Sequence, residues 1–142
     1  MKVSDILAGK GRNVWSVEPN SMVYDAMKLM ADKGIGALIV REGEPVVGVI
    51  SERDYARKVI LEGRSSRTTA VREIMTSHVL YAGPNQTIEE CMAVMTDKRI
   101  RHLPVLEGGH LIGVISIGDL VKAIISEQQF RIEQLERYIT SG

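Results

Sequence analysis

The stretch GVISERD at Gly48–Asp54 returns as GVISIGD at Gly113–Asp119. Each is an apolar run that halts on Ser-x-x-Asp, and the distance between them decides the architecture. Slid by 65 positions, residues 14–60 fall on 79–125 without a gap, and 18 of the 47 aligned positions are identical. The matches include Pro19/Pro84, Met27/Met92, Met30/Met95, Ile35/Ile100 and Gly43/Gly108. A weaker match stands ahead of each copy, Val3–Leu7 against Val71–Met75. The chain therefore divides into a repeat at 1–63, a linker at 64–70, a second repeat at 71–126 and a helical extension at 127–142. Two copies are too few for an open solenoid. A closed pair that buries both apolar faces is the expected arrangement.

Both copies carry the same local signals. A short extended piece, Val14–Val17 or Val79–Ala82, ends near a proline. A helix follows, with Asn20 or Ser21, and Asn85 or Thr87, as candidate caps. Its stripe is Val23, Ala26, Met27, Met30 in one copy and Ile88, Cys91, Met92, Met95 in the other, the spacing of one buried helix face. Two apolar runs then flank a glycine turn, which is a hairpin signal. A final helix closes the unit. The expected fold is mixed α/β (α+β), two β-α-β-β-α repeats packed as a pseudo-twofold pair. Beyond Ile125 the helical pattern runs on through Ile132, Leu135 and Ile139. Its tail has little to pack on within one chain, which points to a partner surface.

Composition removes several classes of function. The 142 residues are 44% hydrophobic and 25% charged, ordinary for a soluble domain. Lys plus Arg and Asp plus Glu are 18 each, so there is no global basic field for nucleic acid. A single cysteine excludes an internal disulfide or a multi-cysteine metal site. No apolar run reaches the roughly 20 residues needed to span a bilayer. The first residues do not read as a signal peptide, so the cytoplasm is the expected location. Among the side chains, Cys91 reads as a core thiol, and Trp15 as either a purine platform or core filler. Arg53, Arg57, Lys58, Arg64 and Arg67 form a local basic cluster that reads first as a solvated face.

The Ser-x-x-Asp junction has two readings. It is a capping box, which satisfies free N–H groups at a helix start. The same corner also offers N–H groups to a phosphate, and an ionised carboxylate that accepts from the vicinal hydroxyls of a ribose. On that reading the preceding glycine admits a ligand close to the backbone.

The doubled junction, the gap-free repeat and RIRHLPV at Arg99–Val105 resemble the cystathionine-β-synthase (CBS) domain, two of which in tandem form a CBS pair or Bateman module. The likeness extends to SERDY, GRSS, RHLPV and SIGDLVK, as in small stand-alone bacterial pairs. The resemblance implies a sensor of adenosine ligands with two clefts between the copies. AMP is the first ligand implied, with NAD(H) or ATP as others, and no metal. Cleft A would draw on Ser51, Arg53 and Asp54 with Leu80, Thr87, Ile88, Ile100, Arg101 and His102. Asp54 would hold the ribose, the cations the phosphate, and Leu80, Ile88 and Ile100 the adenine. Cleft B would draw on Ser116, Gly118 and Asp119 with Trp15, Ser16, Val23, Ile35, Gly36 and Ala37, and Lys10 as a phosphate contact. Strand alternation lets only one of Arg101 and His102 enter a cleft, and leaves open which. Gly118 stands opposite Arg53, so cleft A is the cationic one.

Three functional classes follow. The first is a non-catalytic regulatory module, working as a homodimer and signalling to a protein target the sequence does not identify. The second is an adaptor that uses the C-terminal helix. The third is an enzyme acting on the nucleotide, against which stands the lack of a P-loop, a Cys–His signature or H-E-x-x-H. Neither membrane nor nucleic acid is an expected partner.

Overall fold

The computed structural model describes residues 1–141. In chain order the elements are α1 (Val3–Lys10), β1 (Ser16–Val17), α2 (Val23–Lys33), β2 (Ala37–Arg41), β3 (Val46–Ser51) and α3 (Glu52–Tyr55), which widens into a π-helical turn over Ala56–Ile60. A 3-10 turn at Val71–Glu73 leads to α4 (Ile88–Lys98), β4 (His102–Glu107), β5 (His110–Ser116) and α5 (Ile117–Ser141). By contact the chain forms two compact units, Val14–Leu80, and Met1–Asn13 together with Tyr81–Gly142. The fold is mixed α/β, as the periodicity predicts.

In the Val14–Leu80 unit, β1 runs parallel to β2, and β2 antiparallel to β3. The core gathers Val23, Ala26 and Met30 of α2, Leu38, Val40 and Ile50 of the sheet, and Val59, Val71 and Ile74. The stripe read from the sequence is thus the buried face of α2. Its start is not capped as expected. Met22 holds the cap position and makes no side-chain bond. The Val23 and Tyr24 amides donate instead to the carbonyls of Thr69 and Ser66, at 2.8 and 3.0 Å. The polar segment after Gly63 is therefore bonded to the helix start, where backbone oxygens replace a cap side chain.

In the other unit, α1 packs on β5 and α5, and α4 packs on α5. Val3, Ile6 and Leu7 of α1 are buried, as are Ile88, Cys91 and Met95 of α4. Here the expected cap is present, since the Thr87 hydroxyl accepts from the Glu90 amide at 3.1 Å. β4 and β5 pair antiparallel through a two-residue turn, Gly108 and Gly109, at φ 58° and 80°. Two successive positive φ angles are those of a type I′ hairpin, which glycine adopts without strain. The two hairpins slip register at the same repeat position, Val40/Arg41 and Val105/Leu106.

The copies part at their first strand. In copy one the Ile39 amide donates to the Trp15 carbonyl at 3.2 Å. Pro104 holds the matching position in copy two and has no N–H to give. The strand expected at Val79–Ala82 shrinks to one bridge, Ala82 with Val105, held by Ala82 N–H to Pro104 O and Leu106 N–H to Ala82 O, both 2.9 Å.

Candidate functional site

Each Ser-x-x-Asp junction forms the corner between a hairpin and the helix after it. In the Val14–Leu80 unit, the Asp54 amide donates to Ser51 Oγ at 3.2 Å, and the Ser51 amide donates to Asp54 Oδ2 at 2.9 Å. In the other unit the same two bonds measure 3.1 and 2.8 Å at Ser116 and Asp119. Both junctions are reciprocal capping boxes. In each, the box takes Oδ2 of the carboxylate.

A lysine completes each corner, and the two lysines come from different places. Lys58 lies one helical turn beyond Asp54, with its ammonium 3.3 Å from Asp54 Oδ1 and 2.9 Å from the Ile74 carbonyl it donates to. At the second corner the lysine is Lys10, from the end of α1. It donates to Asp119 Oδ2 at 2.6 Å and to the Val114 carbonyl at 2.9 Å. Burial pushes the Asp119 carboxyl up, but the Lys10 hydrogen bond and charge and the Ser116 bonds outweigh it. Asp119 therefore titrates below the usual carboxylate range. Lys10, expected to touch phosphate, already holds two acceptors. One of the three ammonium protons remains for another.

Beside the second corner stands the segment whose orientation the sequence left open. Ser116 pairs with His102 across the hairpin, and the Ile117 amide donates to the Arg101 carbonyl at 2.8 Å. Arg101 is exposed and His102 is half-buried. Burial lowers the imidazole's proton affinity first; Lys10 and Arg101 lower it further, and Asp119 opposes them. His102 thus titrates below its ordinary value. In the Val14–Leu80 unit the equivalent pair is Ala37 and Ser51, and Gly36 O accepts from the Glu52 amide at 3.0 Å.

The other expected residues are placed as follows. Ser16 lies on β1, and Ile35, Leu80 and Ile100 are partly buried. Val23 belongs to the core of its unit, and Ile88 is wholly buried. Thr87 serves as the α4 cap, and Gly118 is exposed on the first turn of α5. Trp15 fills no core: it is exposed, with the Lys33 ammonium 4.1 Å above its ring. Cys91 is buried, and burial raises its thiol pKa. In the basic cluster, Lys58 is bonded as above, Arg64 pairs with Glu73 at 2.6 Å, and Arg67 lies over Tyr24. Arg53 is half-buried and has no acceptor among the described residues.

One expectation needs correction. The glycine before each junction does not leave room for a ligand. A Cβ on Gly48 would stand 2.6 Å from Met75 Sδ and 2.9 Å from the Thr76 carbonyl. On Gly113 it would stand 2.7 Å from Leu7 Cδ2. Met75 and Leu7 belong to the segments that precede the two copies, so the glycine is spent on packing. The Lys58 contact was within reach of the sequence as an i, i+4 pair with Asp54. The Lys10 contact, across 109 positions, carried no local signal.

Among the described residues, no helix is long and apolar enough to cross a membrane, and no group of three or more His, Cys, Asp or Glu is placed to hold a metal ion. Two copies of one hairpin unit, each turning into a helix at a carboxylate-bearing corner, define a tandem-repeat module. A family model described as "CBS domain" matches residues 3–61 and 71–126. The chain is 39% identical to the mitochondrial CBS domain-containing protein CBSX3 of Arabidopsis thaliana, over 99% of this chain and 72% of that one. It superposes on a signal-transduction protein with CBS domains from Burkholderia ambifaria at TM-score 0.87 and 56% identity, covering 90% and 96% of the two chains. The CBS domain pair of protein MJ0100, solved in complex with 5′-methylthioadenosine and S-adenosyl-L-methionine, matches at TM-score 0.79 over 89% and 98% of the chains, and at 21% identity shares the fold. The chain belongs to the CBS-domain family, and carries it as a pair.

Proposed function

We propose that this chain is a non-catalytic regulatory module that binds an adenine nucleotide, AMP in the first place and NAD(H) or ATP in the same class. On this reading it works in the cytoplasm as a homodimer and passes its ligand state to a protein target. The observation that carries the reading is the pair of equivalent carboxylates, Asp54 and Asp119, each held at a capped corner beside a lysine. A capping box alone needs one carboxylate oxygen. Asp119 Oδ1 takes no donor among the described residues, and Asp54 Oδ1 meets only the Lys58 ammonium at 3.3 Å. Those oxygens are the acceptors a ribose diol requires. Arg53 and the third Lys10 proton supply cationic donors for phosphate. A signal then requires that nucleotide favour one arrangement of the protein over another.

Calorimetric titration with AMP, ATP, NAD, NADH and S-adenosylmethionine tests the reading. Micromolar binding of at least one adenine nucleotide is expected, and absence of heat with all five would refute it. Product formed from NADH, AMP or ATP would contradict the non-catalytic part. The adaptor reading is favoured by the exposed apolar residues of α5, and would be supported by protein partners that are lost on truncating residues 127–142 whatever nucleotide is present.

A further inference from the structure

Helix α5 exposes more large apolar side chains than any other element. Val121, Ile125, Ile132, Leu135 and Ile139 are 44–74% exposed. They are not scattered. With Gln128 they form the series 121, 125, 128, 132, 135, 139, whose steps alternate four and three. That is a heptad seam, with Ile125, Ile132 and Ile139 at a, and Val121, Gln128 and Leu135 at d. The side of α5 that faces its own unit carries Leu120 and Ala123, both buried. At 3.6 residues per turn the seam lies about 130°, over a third of a turn, round the helix from that side.

We infer that α5 pairs with α5 of a second copy of this chain as a parallel, in-register two-stranded coiled coil over residues 121–139. The inference rests on the homodimer part of the proposed function and adds its interface. Three features select this occupant. Isoleucine fills all three a positions and leucine one d position, Leu135, and β-branched a with leucine d favours two parallel strands. In that register position g faces e of the partner five residues on, which sets Arg131 against Glu136 of the second copy, twice by symmetry. The antiparallel register gains Lys122 against Glu136 but sets Arg131 against Arg131 and the Gln128 amide against Ile132 in both core layers, whereas the parallel one stacks Gln128 on Gln128, where the two amides bond each other. The seam is fewer than three heptads long. Its first turn is held by the packing of Leu120 and Ala123, which removes the cost of nucleating a free helix.

Sedimentation and disulfide trapping decide it on the full chain. The parent should be dimeric at micromolar concentration. Leu135→Asp should raise the dimer dissociation constant at least ~100-fold. Phe130→Asp should leave it unchanged, because Phe130 is as exposed as Leu135 (62% each) but lies at f, outside the seam. Leu135→Cys should form a disulfide with its own equivalent on mild oxidation. In the antiparallel register those positions lie ~15 Å apart, too far to bridge. The native Cys91 is buried and does not compete. A parent dimer that tolerates Leu135→Asp, yields equally to Phe130→Asp, or fails to trap at 135 overturns the coiled coil and leaves the homodimer standing. A monomeric parent overturns both. Circular dichroism on each variant separates lost pairing from lost folding.

Discussion

Asp54 and Asp119 show how far single residues can be read from sequence. Their equivalence is legible, because Ser-x-x-Asp recurs 65 positions apart and brings its capping geometry with it. What surrounds them is less so. Lys10 meets Asp119 because α1 packs on β5, a contact that only the folded chain supplies. Gly48 and Gly113 were legible as glycines in a strand, but the reason for them was not: each lies under a side chain from the segment ahead of the other copy, Met75 over Gly48 and Leu7 over Gly113. Gly48→Ala should lose about 1–3 kcal/mol by overpacking, since one of its obstacles is the Thr76 carbonyl, part of the backbone. Gly113→Ala should lose less, because only the flexible Leu7 side chain must yield. Urea unfolding of the two variants checks the order. His102 adds a pH dependence. Burial, then Lys10 and Arg101, lower its pKa, so the unfolded chain takes up that proton first as pH falls. Stability is complete above the unfolded value of about 6.5 and is lost as pH falls from there toward the folded value. His102→Asn should lose less melting temperature than the parent between about pH 7.5 and 5.5. An equal loss would mean that the imidazole titrates normally.

At the scale of elements, periodicity located α2, α4, α5 and both hairpins but not α1, and the ends were decided by particular residues. α4 begins on its Thr87 cap; α2 cannot, since Met22 replaces that threonine and carbonyls from Ser66 and Thr69 do the work. No pattern around residue 22 announces oxygens that arrive from forty residues on. The shortened first strand of copy two was legible in principle, because Pro104 removes one N–H from the parallel ladder. The helix C-termini make a sharper case. Gly34 ends α2 at φ 65°, and Arg99 ends α4 in the same left-handed conformation at φ 55°. A side chain there carries a steric cost that glycine avoids. Arg99→Gly should therefore stabilise the chain by up to ~1 kcal/mol, against which the greater freedom of glycine in the unfolded state counts only partly. Thermal unfolding measures it, and a destabilised variant would show that the Arg99 side chain makes a contact worth more than the strain.

For the whole molecule, the repeat was the easiest feature to see and the grouping of its parts the hardest. Eighteen identities in 47 positions need no structure to be noticed. That Met1–Asn13 joins Tyr81–Gly142 is written in contacts between distant segments, Val3 N–H to Gln86 O and Ser4 N–H to Pro84 O among them, both 2.9 Å. The family follows from the repeat and its corners; the ligand chemistry has to be tested on the carboxylates. A corner that is only a helix cap would lose about 0.5–2 kcal/mol of stability on replacement of its aspartate, with no effect on ligand. A corner that holds a ribose should lose roughly 10- to 150-fold in affinity when its charged acceptor is removed. Arg53 stands where the second copy has Gly118, so a phosphate should favour the Asp54 corner, and do so less at high salt. The most direct measurement is calorimetric titration of AMP into the parent, Asp54→Ala and Asp119→Ala at two ionic strengths. The account predicts weaker AMP binding in Asp54→Ala than in Asp119→Ala, with the parent's tightest site the more salt-sensitive. Equal AMP affinity in all three proteins would reduce both junctions to helix caps and contradict it.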